Sequence, residues 1–337
     1  MIKKKRNEVV AASFRDPSGF LFWRDGVLYR QVNTRHKDDY DFLVKSGLYQ
    51  ELLTEGLLIP HEEVSSIVWD PKIAYKVIQP EVVPFISYPY EWSFSQLQDA
   101  ALLTLQIQKK ALSHGMTLKD TSAYNIQFYC GKPLLIDTLS FEKYEEGRPW
   151  VAYRQFCQHF LAPLALMATR DVRLSQLLRI YLDGVPLDLA ASLLPMQTKF
   201  SFGLLSHIHL HAKSQKYFAN KQPPREKSGY RMKKFSLLGL IDSLESTISK
   251  LQWQFAKTEW GEYYDHTNYN AQAFEQKKHF VGKFLEQSQA KNVWDIGANT
   301  GVFSRIASAR GIHTVAFDID PAAVEKNYLQ ARENHEV

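Results

Sequence analysis

A glycine-containing turn between two apolar segments, at residues 293–320, constrains the fold of this chain more than any other feature. The residues read VWDIGANTG, then VFSRIASARG, then HTVAFDID. The first and last segments have the β-branched and apolar composition of short strands, and the middle segment has the pattern of a helix that stops at Gly311. Strands joined by a helix run parallel, so this region predicts a βαβ unit.

The turn also carries residue types that suit a ligand. Asp295 precedes Gly297 and Gly301, and Asp318 ends the second strand roughly 20 residues later. Glycines let the backbone approach a ligand closely, and a carboxylate at this distance pairs with ribose hydroxyls. The dinucleotide pattern G-x-G-x-x-G is not met, because Asn299 stands at the second glycine position. A site for an adenosine cofactor is predicted, with a plain βαβ turn and a solvated Asp318 as the alternative.

The stretch resembles the first motif of the class I S-adenosylmethionine-dependent methyltransferases, in which an acid, a spacer, a glycine, two or three residues and another glycine follow a strand. The resemblance implies that Gly297 and Gly301 border the methionine part of S-adenosyl-L-methionine, that Asp295 helps to orient its amino group, and that Asp318 binds the ribose. Asp320 would lie next to the adenine edge. The cofactor-binding set is Asp295, Gly297, Ala298, Asn299, Gly301, Asp318 and Ile319.

The resemblance covers only the beginning of such a domain. A complete methyltransferase of this class has a seven-stranded sheet, whereas residues 292–337 have room for two strands and two helices. Two strands are marginally stable without neighbours. The sequence therefore predicts a partial α/β Rossmann-like methyltransferase domain, with an incomplete site or with a missing C-terminal part or partner chain.

The N-terminal two thirds of the chain predict a different architecture. Residues 18–32 read as a hairpin around Asp25-Gly26, and an amphipathic helix capped by Ser93 runs to His114-Gly115. YNIQFYCGKPLLIDTLSF follows as two strands joined at a Gly131-Lys132 turn, and residues 151–219 are mostly helical. This order predicts an α+β domain with a small sheet lobe and a larger helical lobe.

Three polar residues in this region have the side chains that phosphoryl transfer uses. Asp120, Asn125 and Asp137 supply two carboxylates and an amide, one to face an attacking hydroxyl and two to hold metal ions. The segment resembles the catalytic loop and metal-binding turn of the protein kinase-like and aminoglycoside kinase-like superfamily. That resemblance implies a kinase-like fold, Mg-ATP as the ligand, and these three residues as the catalytic set.

The departures from that superfamily are substantial. Leu118-Lys119 replace its His-Arg, Thr138-Leu139 replace its Phe-Gly, and no Gly-rich phosphate loop precedes them. Arg30 is the nearest basic residue in the expected strand, and arginine does not simply replace lysine. A degenerate nucleotide-binding or interaction module is favoured over an active phosphotransferase. Alternatively, Asp120 caps a turn and Asp137 ends a strand.

A basic segment, KQPPREKSGYRMKK, marks the predicted domain boundary. After it, one face of a predicted bridging helix carries Leu237, Leu240, Ile241, Leu244, Ile248 and Leu251. We divide the chain into a kinase-like α+β domain at 1–220, a basic linker and bridging helix at 221–260, and the beginning of a methyltransferase domain at 261–337.

The bulk composition limits the remaining possibilities. The net charge is +5, and the two cysteines, Cys130 and Cys157, do not form a disulfide framework. No secretory signal and no apolar run of about 18 residues is present, so we expect a cytoplasmic protein with no membrane and no nucleic acid as partner.

The whole chain resembles a bacterial group of nodulation-protein-like class I methyltransferases, through SYPYEWSFSQLQDAALLTLQIQKKAL, LKDTSAYNIQF and YRQFCQHFLAPLALMA. This implies a methyltransferase that uses S-adenosyl-L-methionine on an unspecified acceptor. A binding module and a phosphotransferase are the rival classes.

Overall fold

The computed structural model describes residues 7–13, 16–214, 231–254 and 270–336, and the element bounds below refer to those residues. The parts of the predicted linker at 221–230 and 255–260 lie outside them. The strands are β1 (Glu8–Val9), β2 (Gly19–Arg24), β3 (Val27–Asn33), β4 (His61–Val64), β5 (Ala74–Pro80), β6 (Met116–Leu118), β7 (Ile126–Tyr129), β8 (Lys132–Leu135), β9 (Phe141–Lys143), β10 (Asn292–Ile296) and β11 (His313–Phe317).

The helices alternate with these strands in a mixed α and β arrangement. They are α1 (Lys37–Lys45), α2 (Leu48–Thr54), α3 (Phe94–Ser113), α4 (Tyr153–Phe156), α5 (Ala162–Thr169), α6 (Leu177–Ile180), α7 (Leu187–Leu193), α8 (Phe202–Leu204), α9 (Lys234–Ser249), α10 (Ala271–Ser288), α11 (Ser304–Ser308) and α12 (Pro321–Glu333). π-helical turns follow α4 at Cys157–Leu161 and α8 at Leu205–Leu210.

The first five strands form one antiparallel sheet in the order β1-β2-β3-β5-β4. The predicted Asp25-Gly26 hairpin joins β2 to β3, and both turn residues have positive φ, 53° and 83°. Two consecutive left-handed residues match the twist of the flanking strands, which is why Asp-Gly favours this turn. The predicted hairpin is confirmed.

Helix α3 lies at the centre of the larger lobe, and its start is the one predicted. The Ser93 hydroxyl accepts from the backbone N–H of Gln96, and the Gln96 side chain accepts from the backbone N–H of Ser93. This reciprocal arrangement satisfies two backbone donors of the first turn. The helix ends before Gly115, which has φ of 73°. Its apolar face is buried in the main hydrophobic core.

The predicted bridging helix packs into that same core. Leu237, Ile241, Leu244 and Ile248 of α9 are all buried against the residues of α3 and its neighbours. The Gln98 side chain on α3 also donates to the Ile248 carbonyl oxygen at 2.8 Å. Helix α9 therefore packs as part of the N-terminal lobe and does not form a separate connection between two domains.

The second predicted hairpin is present, but its turn is displaced by one residue. Tyr129 pairs with Lys132, so Cys130 and Gly131 form the turn, with φ of 50° and 72°. The predicted Gly131-Lys132 turn is therefore wrong, and Lys132 is the first residue of β8. A cysteine in the left-handed region is uncommon, so the sequence gives little sign of it.

The C-terminal unit is the predicted βαβ unit. β10 and β11 run parallel, from Asn292 opposite His313 to Ile296 opposite Phe317, and α11 connects them. Within the described residues these two strands pair only with each other. Phe85 packs edge-on against Phe317 and Trp294 at ring-centroid distances of 5.5 and 6.0 Å. The two strands therefore depend on contacts with the N-terminal part of the chain.

Across the described ranges, no helix combines the length and the apolar character that crossing a membrane requires.

Candidate functional site

The Gly-rich loop folds over the carboxyl end of β10. Gly297 and Gly301 both have φ of 79°, and Asn299 between them has φ of 51°. The backbone N–H groups of Gly297 and Ala298 both donate to the Phe317 carbonyl oxygen at 2.9 Å. Three left-handed residues in five turn the backbone sharply, and glycine adopts this conformation without a steric penalty. The loop is thereby held against the end of β11.

Asp318 links the loop to the second strand. One carboxylate oxygen accepts from the backbone N–H of Asn299 at 2.7 Å, and the other accepts from the backbone N–H of Asp320 at 2.8 Å. An ionised carboxylate has about four lone-pair positions, so further acceptor capacity remains after these two bonds. Asp318 can therefore accept bonds from hydroxyl groups while it holds the loop.

The side chains of Asp295 and Asp320 stabilise the neighbouring helices through hydrogen bonds. The Asp295 carboxylate accepts from the Ser304 hydroxyl at 2.7 Å and so ties β10 to the start of α11. Asp320 is buried and caps α12, since one of its oxygens accepts from the backbone N–H groups of Ala322 and Ala323. The role next to an adenine edge that the resemblance implied for Asp320 stays a prediction.

The seven predicted cofactor residues lie at the end of β10 or shortly after β10 and β11, at the carboxyl end of the parallel pair. This edge is where ligands bind in open α/β sheets. A side-chain carbon added at Gly297 would have no atom within 4 Å, so the backbone there is open to a ligand. The Ile319 side chain is 94% exposed beside Asp318 and offers an apolar surface. The residues thus fit an adenosine group with a polar tail.

The second predicted set lies between the sheet lobe and the helical lobe, around Asp137. One oxygen of Asp137 accepts from the backbone N–H of Leu139 at 3.0 Å and from the Arg30 guanidinium at 2.5 Å. The other oxygen accepts from the Ser140 hydroxyl at 2.6 Å. Burial alone would raise the pKa of Asp137, but the positive charge of Arg30 and these hydrogen bonds outweigh burial and lower that pKa.

Asn125 is close to Asp137, whereas Asp120 has other partners. The Asn125 amide donates to the Ser140 hydroxyl oxygen at 3.3 Å, and Ser140 in turn donates to Asp137. Asp120 accepts from the backbone N–H of Ser122 and from the Gln155 amide. Asp120 therefore caps a turn, as the alternative interpretation expected, and these bonds do not join it to Asn125 or Asp137.

Arg30 is the residue of this cluster whose role the sequence leaves undefined. It projects from β3 and pairs with both Asp137 and Asp16. Lys119 lies nearby and donates to the Ser18 hydroxyl at 2.7 Å. The only sequence signal was the position of a basic residue in an expected strand. Its two carboxylate partners come from distant parts of the chain.

The donor set around Asp137 does not fit a magnesium ion. Both Asp137 oxygens are already engaged by a guanidinium, a hydroxyl and a backbone N–H, and Mg²⁺ requires near-octahedral oxygen ligands at about 2.1 Å. In the part of the chain that the structure describes, no group of three or more His, Cys, Asp or Glu side chains is placed to hold a metal. We derive no phosphoryl transfer step from this cluster.

The fold and the site define a mixed α and β protein, in which a Gly-rich loop between two parallel strands packs beside a larger N-terminal lobe. Comparison with known proteins gives its family. The chain is 33% identical over 323 residues to the nodulation protein NoeA of Rhizobium meliloti (strain 1021), and the match covers 94% of this chain and 67% of that protein. The chain belongs to the NoeA family.

No protein-family model matches the chain. Among solved structures, vaccinia related kinase 3 is similar with a TM-score of 0.37 and 10% identity, over 75% of this chain and 94% of that one.

Proposed function

We propose that this chain carries the cofactor-binding part of an S-adenosylmethionine-dependent methyltransferase. The observation that supports it most is the joining of the Gly-rich loop to Asp318 through the backbone N–H of Asn299, at 2.7 Å. That bond sets a carboxylate beside a glycine-rich backbone at the carboxyl ends of two parallel strands. The combination suits a ligand with ribose hydroxyls at one end and a charged amino acid at the other.

Each residue would have a distinct part in holding the ligand. Asp318 would accept from the ribose hydroxyls, and the open backbone at Gly297 would lie against the methionine part. Asp295, through its bond to Ser304, would keep the loop and α11 in register. S-adenosyl-L-methionine, when bound, supplies an activated methyl group, and the protein contributes position and exclusion of water.

The acceptor is part of the proposal only in general terms. The relative is named a nodulation protein. We extend a nodulation-related role to this chain, with the methyl acceptor to be sought among molecules of that process. Residues 292–336 provide the loop and two strands, so acceptor binding would draw on further structure, either from the N-terminal lobe or from another polypeptide segment.

Titration calorimetry tests this function on the chain as it stands. We expect S-adenosyl-L-methionine to release heat with a single site, and Asp318→Asn to weaken binding about tenfold, because a charge-assisted hydrogen bond contributes about 1.5–3 kcal/mol. Asp38→Asn, an exposed residue on α1, is the matched control and should bind as the wild type does. Absence of any heat in the wild type would refute the proposal.

The rival nucleotide-binding function is tested in the same instrument. Titration with Mg-ATP should give no heat if both Asp137 oxygens stay bonded to Arg30, Leu139 and Ser140 and so are not available to a metal ion. Tight Mg-ATP binding that disappears in Asp137→Ala would instead favour the kinase-like module.

A further inference from the structure

Helix α12 contacts the Gly-rich loop along one side. Arg305 donates to the Thr300 carbonyl oxygen of the loop at 2.6 Å and to the Asn327 carbonyl oxygen of α12 at 3.3 Å. A side-chain carbon added at Gly301 would lie 2.3 Å from the Asn327 side-chain oxygen. The loop backbone therefore abuts α12 directly, and Arg305 joins the two.

On another side, α12 is bound to the start of α3. The Glu325 carboxylate accepts from the Ser95 backbone N–H at 2.9 Å and from the Ser95 hydroxyl at 2.5 Å. Glu325 is 3% exposed and Ser95 is 7% exposed, so these bonds are shielded from water. Ser95 lies in the first turn of α3, where backbone N–H groups have no partner within the helix and where negative charge is favoured.

A second pair of contacts lies one turn further along both helices. Asp99 on α3 accepts from the Tyr328 hydroxyl at 2.6 Å and from the Arg332 guanidinium at 2.9 Å. The Tyr328 ring also packs edge-on against Phe128, with centroids 5.7 Å apart. Burial and the nearby Asp99 charge raise the pKa of Tyr328, so its hydroxyl keeps the proton that it donates.

The loop needs support of this kind. Asn299 in this loop is left-handed, and a residue other than glycine keeps that conformation only where surrounding structure holds it. The sheet beneath the loop has two strands in the described residues, and an isolated pair of strands is marginally stable. The contacts of α12 with α3 connect the Gly-rich loop and this two-stranded sheet to the large hydrophobic core of the N-terminal lobe.

We propose that α3 holds the Gly-rich loop in its binding conformation through α12, with Glu325 and Asp99 as positioning residues. The N-terminal lobe thereby acts as a platform for the ligand loop rather than as a separate catalytic unit. The claim about loop order stands on the contacts above, and its extension to cofactor affinity rests on the proposed function.

Amide hydrogen exchange of residues 297–301 tests the connection without any ligand. Gly297, Ala298, Asn299 and Gly301 each donate a backbone hydrogen bond, so their exchange reports opening of the loop. Ser95→Ala and Glu325→Ala each remove part of the contact. The matched controls make the same changes elsewhere: Ser113→Ala at the exposed end of α3, and Glu333→Ala at an exposed position of α12.

We expect these amides to exchange about tenfold faster in Ser95→Ala and Glu325→Ala and at the wild-type rate in both controls. Binding of S-adenosyl-L-methionine should weaken in the same two variants. An unchanged exchange rate in Ser95→Ala would overturn the proposal. If circular dichroism shows that Glu325→Ala does not fold, the result for Ser95→Ala alone tests the proposal. Faster exchange in a protein that gives no heat with S-adenosyl-L-methionine would support the platform and refute the methyltransferase function.

Discussion

Two glycines of the Gly-rich loop have the same backbone conformation but different surroundings. Gly297 and Gly301 both have φ of 79°. A side-chain carbon at Gly297 meets nothing within 4 Å, whereas one at Gly301 would meet Asn327 at 2.3 Å and Arg305 at 2.7 Å. Glycine at 297 is therefore required by conformation and by access for a ligand. Glycine at 301 is required by conformation and by the close approach of α12.

This difference predicts unequal costs for the same substitution. Gly297→Ala should lower the free energy of unfolding by about 1 kcal/mol, the usual cost of alanine in the left-handed region. Gly301→Ala should lower it by about 2–3 kcal/mol, because overpacking adds to that cost. Urea unfolding followed by tryptophan fluorescence measures both. Equal losses in the two variants would mean that α12 does not press on the loop.

The same pair separates stability from binding. Gly297→Ala places a methyl group on the open side of the loop, so it should weaken binding of S-adenosyl-L-methionine more than its small stability loss would suggest.

At the scale of elements, short sequence motifs predict those turns and helix starts whose structure depends on neighbouring residues. Asp25-Gly26 fixes the first hairpin through two left-handed residues, and Ser93 with Gln96 fixes the start of α3. The turn at Cys130-Gly131 was misplaced by one residue because cysteine is a poor predictor of positive φ. Sequence patterns identified short elements well and missed one turn residue.

Contacts between distant elements were not predictable in the same way. Glu325 and Ser95 are polar residues of two amphipathic helices, and polar residues of such helices are usually expected at the surface. Nothing in the sequence of either helix identifies the other helix as its partner. Arg30 was noticed only as a base in an expected strand, and its pairing with Asp137 depends on how the sheet lobe meets the loop after β8. The candidate loop was found because its residues are consecutive; the interface that supports it was not.

The Arg30–Asp137 pair between β3 and the loop after β8 gives a prediction with a definite sign. In the wild type the pKa of Asp137 is lowered, so its contribution to stability is present above the ordinary aspartate value of about 4 and is lost only in stronger acid. Arg30→Met leaves the Asp137 carboxylate without its positively charged partner and should cost about 3–5 kcal/mol at pH 7.

The variant loses the charge and the hydrogen bond of Arg30, so the pKa of Asp137 should rise relative to wild type, and the loss of stability should shrink between pH 7 and pH 4.5 as the carboxyl takes up a proton. Urea unfolding at the two pH values measures it. Arg30→Met/Asp137→Asn should recover much of the loss, and Arg148→Met, at an exposed pair, is the control. A loss that is the same at both pH values would show that Asp137 is not the group left unpaired.

At the scale of the whole molecule, burial lowers the pKa of several histidines of the N-terminal lobe, among them His36, His159 and His207. His36 lies between the sheet lobe and Lys119, His159 lies in the π-helical turn after α4, and His207 bonds to Tyr153 and Ser243. Burial lowers the pKa of each to about 4, and Lys119 adds to the effect at His36. The folded protein therefore holds all three neutral where the unfolded chain would protonate them.

Acid sensitivity follows from that difference in proton binding. Between pH 6.5 and 4 the unfolded state binds more protons, so stability is fully present above pH 6.5 and falls as the pH drops. Each histidine whose pKa is lowered to about 4 should cost roughly 2 kcal/mol at pH 5, and these three together with His61 approach the total stability of about 5–15 kcal/mol of an ordinary domain. We expect the lobe to lose its fold between pH 6 and 4, as measured by urea midpoints across that range.

His159 allows the cause to be isolated, because its Nδ1 is buried without a hydrogen-bond partner in the described residues. His159→Phe replaces a ring of similar size and removes one titrating group, so it should be nearly neutral at pH 7 and should reduce the loss at pH 5 by roughly 2 kcal/mol. His313→Asn, at an exposed strand end, should leave the pH profile unchanged. A His159→Phe profile parallel to that of the wild type would mean that the acid sensitivity arises outside the buried histidines.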